Sequence, residues 1–398
     1  EDNILNYCET SRLSPMGAYG EPELYSTDYK KSVLHDTCIE ILGSAIYRPP
    51  YFPRSKGYFH FANWLTHFCD EPINFSSKDL ALAKRDYVEP LKDIFQQPYA
   101  ISWAGVLTNE QVIGGVPGVR FIDSMKMQSA VGFPYSGKKK HFFPAKMCGD
   151  HIEYEITDPS FLEDVAVIET RYLQRKGTGF VFKACLKDEL VPHMKNGKVN
   201  QGARVFMASG FHAQFLIRKY FLGLARVLSL FPLASECAVG INSYGPEMEE
   251  MYQHLTTFGT DHIFCGDHSK YDVKLSQQLT RTVMEILIEL AQLTGKYTTN
   301  DIIIMEGIAQ DLISPYIIMY GVVFRVFGSN PSGHNLTSYM NSIANSLMMR
   351  LCAIRSGLQG RFRDSVKLMT YGDDVIAGAN TPSFTFNSVR DVLRAHNL

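Results

Sequence analysis

Two adjacent carboxylates stand in Tyr371-Gly372-Asp373-Asp374, between the apolar runs Lys367-Leu368-Met369-Thr370 and Val375-Ile376-Ala377. Carboxylates side by side on a tight turn repel each other and resist burial, which a purely structural hairpin would normally avoid. A bound cation removes that cost, but so does full solvation of an ordinary Gly-Asp turn, and this feature alone leaves both open. A third carboxylate, Asp267, ends the short apolar run Ile263-Phe264-Cys265-Gly266, with Asp272 five residues on. A strand end can aim Asp267 at the hairpin tip, and the following turn can bring Asp272 near the same cleft. That gives a hard, oxygen-rich donor set suited to magnesium bridging substrate phosphates. Helix capping is the alternative for Asp272. A further stretch, Pro331-Ser332-Gly333-His334-Asn335-Leu336-Thr337-Ser338-Tyr339-Met340-Asn341-Ser342, runs from a loop into a helix. Gly333 would let backbone approach a ligand, Thr337 and Asn341 would share a helix face, and Asn341 could bond a ribose hydroxyl. The alternative is a capped helix whose small polar residues pack against a neighbour.

These residues need elements to hold them, and hydrophobic periodicity supplies candidates. The apolar runs around the carboxylate pair predict a hairpin with acids at its tip, and Ile263-Phe264-Cys265 predicts a short strand. Helices are predicted over Pro159 to Lys176, Phe211 to Leu230, Leu275 to Leu293, Asn335 to Arg355 and Ser383 to His396, with a strand over Phe180 to Leu186. Residues 1 to about 110 mix short periodic runs with breaks such as Arg48-Pro49-Pro50 and predict loops and short helices. The Gly-rich stretch Gly114 to Gly118 and the run Ser129-Ala130-Val131-Gly132-Phe133-Pro134-Tyr135, which leads into Lys138-Lys139-Lys140, predict surface turns.

The 398-residue chain is 45% apolar and 12% aromatic, without repeats or low-complexity tracts, so it can bury a large core in two or three subdomains and is not a disordered protein. Its eight scattered cysteines form no C-x-x-C pair, which predicts a reduced, cytosolic chain without structural zinc. The most apolar stretch, Ile302 to Phe327, is interrupted by Glu306, Asp311 and Arg325, so no membrane span is expected. The net charge of -2 hides an asymmetry: from Thr170 to Arg226 eleven Lys and Arg face only Asp188 and Glu189, a local +9 that leaves -11 elsewhere. Such a basic segment suits a phosphate-bearing ligand; a solvated basic face is the ordinary alternative for any one lysine.

In this order, Asp267 and Asp272, then Ser332-Gly333, Thr337 and Asn341, then Tyr371-Gly372-Asp373-Asp374, the chain resembles the palm motifs of viral RNA-dependent RNA polymerases. Phe182-Lys183-Ala184-Cys185-Leu186-Lys187-Asp188-Glu189-Leu190 through Arg204 resembles their basic fingers motif at the nucleotide entrance. Ser129 to Tyr135 with the three lysines is similar to the template-guiding motif of picornavirus-like enzymes. The wording is closest to that of the iflaviruses and dicistroviruses.

The resemblance implies an α+β, right-hand polymerase fold: an antiparallel-sheet palm packed on helices, with mixed α/β fingers. Fingers would span 1-208 with an insertion at 297-328, and palm 209-296 and 329-398. The helix from Ser383 lacks a lysine matching the family's general acid, and the thumb would lie beyond Leu398, so weak synthesis is expected of this chain by itself. By resemblance Asp267, Asp373 and Asp374 are catalytic and hold Mg2+, with Mn2+ able to substitute. Asp272, Ser332, Gly333, Thr337 and Asn341 would read the nucleotide and its ribose, and Lys187, Lys195, Lys198 and Arg204 would grip the triphosphate. Ser129, Gly132, Pro134, Tyr135, Lys138, Lys139 and Lys140 would contact template RNA. Implied partners are RNA template and primer, nucleoside triphosphates, a genome-linked protein primer and other viral replication proteins. The implied location is the host cytoplasm, at membrane-associated replication complexes reached through partners. A reverse transcriptase or other palm-type nucleotidyl transferase is the competing enzyme, disfavoured because the small acceptor Asp272 stands where an aromatic residue would exclude a 2′-hydroxyl. A non-catalytic RNA-binding replication scaffold is the competing class, disfavoured by the presence of all three aspartates.

Overall fold

The computed structural model describes residues 10–398 except 44–45, 53–57, 150, 157, 196–197, 200–201 and 359. Two sheets divide the strands. Ile263–Gly266, Asp374–Ala379 and Val366–Tyr371 form an antiparallel sheet in that spatial order, with Gly266 opposite Val375 and Tyr371 opposite Asp374. The other sheet has five strands in the order Leu13–Ala18, Val322–Val326, Tyr316–Met319, Val181–Leu186 and Val205–Ser209. Only the pairing of Tyr316–Met319 with Val181–Leu186 is parallel in it. The five-stranded sheet therefore takes its strands from within 13–209 and 316–326, and the three-stranded sheet from within 263–266 and 366–379.

The helices form for local reasons and are then held by burial. Ser276 caps Gln277–Leu293 by accepting from the Leu279 amide, and the stripe Leu279, Val283, Ile286, Leu287 and Leu290 is buried. Each such side chain contributes about 1.5–3 kcal/mol when fully buried. The expected helix from Leu275 starts two residues later because Tyr271–Lys274 forms a separate short helix first. Phe211–Leu230 runs over the predicted span, whereas Thr337–Arg355 and Phe386–Ala395 begin two and three residues inside theirs. The apolar stretch from Ile302 to Phe327 resolves into the end of helix Thr299–Ile313 and the hairpin Tyr316–Met319/Val322–Val326. Asp311, which interrupts it, accepts from the Tyr172 and Thr178 hydroxyls and the Thr178 and Gly179 amides. Among the described residues no helix is long and apolar enough to cross a membrane.

The expectation of only loops and short helices in the first 110 residues is corrected by two elements. Leu13–Ala18 is an edge strand of the five-stranded sheet, with a register shift between Pro15 and Gly17 that its Pro- and Gly-bearing sequence conceals. Ser77–Ile94 is an 18-residue helix that tolerates Pro90 near its end and is capped by Ser76. It packs against Gln277–Leu293 and Thr337–Arg355. Arg12, buried, donates to the carbonyls of Val273, Leu275 and Phe327, tying the chain's start to the turn that carries Asp272.

Candidate active site

Antiparallel pairing sets the three aspartates. The ladder between Ile263–Gly266 and Asp374–Ala379 ends at Gly266 opposite Val375, so Asp267 lies one residue past it, level with Asp374. Gly372 and Asp373 form the two-residue turn, and Gly372 adopts φ +65, the region where a side chain is strained. Burial first, then the charges of Asp373 and Asp267, push the Asp374 carboxyl above its ordinary value. Asp374 thus feels both of the other acids, a cost that a divalent cation would relieve. Among the described residues no three His, Cys, Asp or Glu side chains are grouped so that they could hold a metal ion together. An open set of one or two carboxylates fits an ion whose remaining ligands come from substrate phosphate and water.

Helix Thr337–Arg355 lies against the strand Val366–Tyr371 and presents polar groups to the hairpin at helical spacing. Ser342 Oγ accepts from the Gly372 amide at 2.9 Å. Asn345 Nδ2 lies 3.3, 3.0 and 3.5 Å from the carbonyl oxygens of Gly372, Asp373 and Asp374. Its Oδ1 faces His268 Nε2 at 3.3 Å, beside Asp267. The next residue, Ser346, and Arg350 one turn beyond it both bond Glu236, and Arg350 also bonds Asp86 at 2.7 Å. The Glu236 carbonyl in turn accepts from the Thr370 amide and hydroxyl.

Asp272 and Asn341 are joined by a residue that sequence reasoning passed over. The Asn330 amide donates to the Asp272 carbonyl at 2.8 Å, while its side-chain Nδ2 donates to Asn341 Oδ1 at 2.7 Å. His334 fixes the orientation of Asn330. Its Nδ1 accepts from the Leu336 amide, so Nε2 carries the proton donated to Asn330 Oδ1 at 2.9 Å. Burial lowers the His334 pKa to about 3, which keeps the ring neutral. Burial also raises the Asp272 pKa, opposed by the Val273 amide and reinforced by Asp373.

Other expected contacts are redistributed. Gly333 makes room for a strand: a Cβ there would sit 1.8 Å from the Met207 carbonyl oxygen. Ser332 Oγ accepts from the Met207 amide, and the Thr337 hydroxyl closes the loop by donating to the Pro331 carbonyl. Lys139, expected to contact template, is turned inward. Its ammonium is buried against Ser129 Oγ at 2.9 Å and the Ala130 carbonyl at 2.6 Å, and burial lowers its pKa to about 8. Lys138 and Lys140 are exposed on either side of it. Gly132 packs against the Ser209 carbonyl, Pro134 is exposed, and Tyr135 packs on Phe142 and Phe211.

The basic segment is less free than its count implies. Lys187 and Arg204 share Glu189 at 2.6 and 3.3 Å, Lys183 pairs with Glu23, Lys219 with Glu169 and Arg175 with Glu306. Arg218 is buried and donates to the carbonyls of Val112 and Asp123. Lys195 and Lys198 lie on a short two-stranded pairing, but their side chains fall outside the described residues. Sequence reasoning missed Asn330, Ser342 and Asn345. The signal was present in Ser342, Asn345, Ser346 and Arg350, the polar residues of the otherwise apolar stretch from Ser342 to Ile354.

A family model described as viral RNA-dependent RNA polymerase matches residues 105–398. The chain is 30% identical over 291 residues to the replicase polyprotein of Drosophila C virus (strain EB), covering 68% of the chain and 16% of that protein. It is 26% identical over 314 residues to the genome polyprotein of Deformed wing virus, covering 76% of the chain and 11% of that protein. The chain thus spans well under a fifth of these curated relatives. A solved structure of a Sicinivirus 3Dpol RNA dependent RNA polymerase superposes with a TM-score of 0.70 at 17% identity, covering 95% of this chain and 75% of that one. The α+β fold is therefore that of a picornavirus-like polymerase, and the chain belongs to the viral RNA-dependent RNA polymerase family.

Proposed function

We propose that this chain catalyses RNA-templated RNA synthesis in the replication of a positive-strand RNA virus. The observation that carries the proposal is the meeting of Asp267 with the Asp373-Asp374 turn at the end of one antiparallel sheet. In the reaction the 3′-hydroxyl of the RNA primer attacks the α-phosphorus of a nucleoside triphosphate, and pyrophosphate leaves. Asp267 and Asp373 would hold magnesium, or manganese in its place, with Asp374 in support; such ions lower the pKa of the attacking hydroxyl and neutralise the triphosphate. Asp272 and Asn341, aligned by Asn330, bind the ribose hydroxyls. Lys187 and Arg204, released from Glu189, contact the triphosphate, with Arg204 suited to bidentate phosphate binding. Lys138 and Lys140 attract template phosphates, and Ser129, Gly132, Pro134, Tyr135 and Lys139 shape the loop that presents them. Residues 1–208 and 297–328 form the fingers and 209–296 and 329–398 the palm, with helix Ser77–Ile94 docked on the palm from the fingers side of the sequence. Replication would take place in the host cytoplasm, at membranes reached through other viral proteins, with a genome-linked protein as a candidate primer.

The test is single-nucleotide incorporation into an annealed RNA primer–template, with enzyme in excess so that slow turnover is readable. Incorporation requires a divalent ion and the templated base, and Asp373→Asn slows it by at least ~100-fold, beyond the usual cost of removing a group that merely supports a metal ligand. Equal rates for the wild type and Asp373→Asn would rule out the assignment.

A further inference from the structure

Asn345 is fully buried and Ser342 is 1% exposed, in a helix whose neighbouring positions Ile343, Ala344 and Leu347 are packed and apolar. Polar groups at such depth cost stability unless satisfied, and the Asn345 amide nitrogen and the Ser342 hydroxyl both meet one place, the turn Gly372-Asp373. In a two-residue hairpin turn the carbonyls at the tip lack ladder partners. The carboxylates there also repel each other and Asp267. The tip therefore needs an outside hold to keep its acids aimed in one direction. Asn345 supplies it by presenting one amide group to three consecutive carbonyls, and Ser342 holds the Gly372 amide from the preceding turn of the same helix. The helix is itself anchored. Ser346 and Arg350 bond the buried Glu236 carboxylate, and the Glu236 backbone holds Thr370 in the strand leading to the tip.

We propose that Asn345, with Ser342, is a positioning residue for the metal-binding aspartates: it clamps the backbone of the turn so that Asp373 and Asp374 face Asp267. The inference rests on the polymerase assignment of those aspartates. No reacting atom touches Asn345; it acts through the turn.

Asn345→Asp is nearly isosteric and sets an acceptor against three carbonyls, so it breaks the clamp without opening a cavity, and Ser342→Ala is the milder second variant. Hydrogen exchange at the amides of residues 372–375 reads the clamp without reference to activity, and Mn2+ binding, followed by the loss of its free electron-spin signal, reads the acids. Asn345→Asp is expected to speed exchange at the tip by about tenfold while the remaining amides keep their protection. It should also weaken Mn2+ binding by about 10–100-fold, the range found when a group orienting metal ligands is removed. Ser342→Ala should shift both in the same direction by less, and high Mn2+ should restore incorporation in Asn345→Asp but not in Asp373→Asn. Unchanged exchange at residues 372–375 in both variants overturns the clamp. Faster exchange with wild-type Mn2+ affinity overturns its role in positioning the aspartates. Mn2+ binding that is indifferent to Asp373→Asn in the wild-type background overturns the assignment on which the inference stands, whereas the exchange data still decide the clamp by themselves.

Discussion

At the scale of single residues, the ribose selectivity proposed for Asp272 and Asn341 would depend on a contact between two segments that no short motif contains. Asp272 follows a strand and Asn341 lies within a helix, and Asn330 bonds the backbone of the first and the side chain of the second. Its carboxamide is oriented by neutral His334, so both of its side-chain polar atoms are engaged. Replacing Asn330 by Ala should leave the aspartates intact and lower the preference for ribonucleotides over deoxyribonucleotides by about tenfold, the worth of one well-placed hydrogen bond. Asp272→Ala and Asn341→Ala should lower it at least as much. The measurement is the ratio of incorporation efficiencies for matched ribo- and deoxyribonucleotides. A ratio unchanged in all three variants would remove these residues from sugar recognition.

At the scale of elements, the helix Thr337–Arg355 works as a rod with three stations: Asn341 near its start, the Ser342 and Asn345 clamp, and an ionic anchor formed by Ser346 and Arg350. The anchor has a distinct pH signature. Burial would push the Glu236 carboxyl up, but the Arg350 and Arg363 guanidinium groups outweigh it and hold the pKa at about 2, down from 4.5. Because the folded value lies below the unfolded one, the stabilisation is complete above about pH 4.5 and is lost as the pH falls toward 2. Glu236→Gln should therefore be less stable than the wild type at pH 7 by roughly 3 kcal/mol, since it leaves buried arginines short of their counter-ion. Urea unfolding across that acid range should show the gap closing. A gap that stays constant down to pH 2.5 would show that the loss comes from packing and not from charge.

At the scale of the whole molecule, the first hundred residues fasten the two sheets into one body. Leu13–Ala18 covers the edge of Val322–Val326, Arg12 crosses to the carbonyls of Val273 and Leu275, and Ser77–Ile94 docks on the helices behind the aspartates. An uncovered sheet edge offers a row of unpaired backbone groups to another chain. Removing residues 1–18 should therefore promote self-association, seen as a rise in scattered light with concentration under conditions where the full chain stays monodisperse. Equal scattering from both would mean that the edge is protected in some other way.

The sequence alone was sufficient for the hairpin that bears Asp373 and Asp374, most of the long helices and the family. Those features are local: a turn chemistry, an apolar period or a fixed order of short motifs is complete within a few neighbouring residues. The tertiary structure decided which polar residues face which partner. Nothing near Lys139 says that its ammonium folds inward onto Ser129 and Ala130 while Lys138 and Lys140 stay outside. Nothing near Gly333 says that its missing side chain makes room for the Met207 carbonyl. Spacing marks Ser346 and Arg350 as sharing a helix face, but it does not say that Arg350 meets Asp86, 264 positions away, or that Asn345 meets Gly372, 27 positions away. Helical periodicity fixes which side chains point together; only the packing of distant segments fixes what they meet, because burial makes each inward polar group find a partner wherever the fold supplies one.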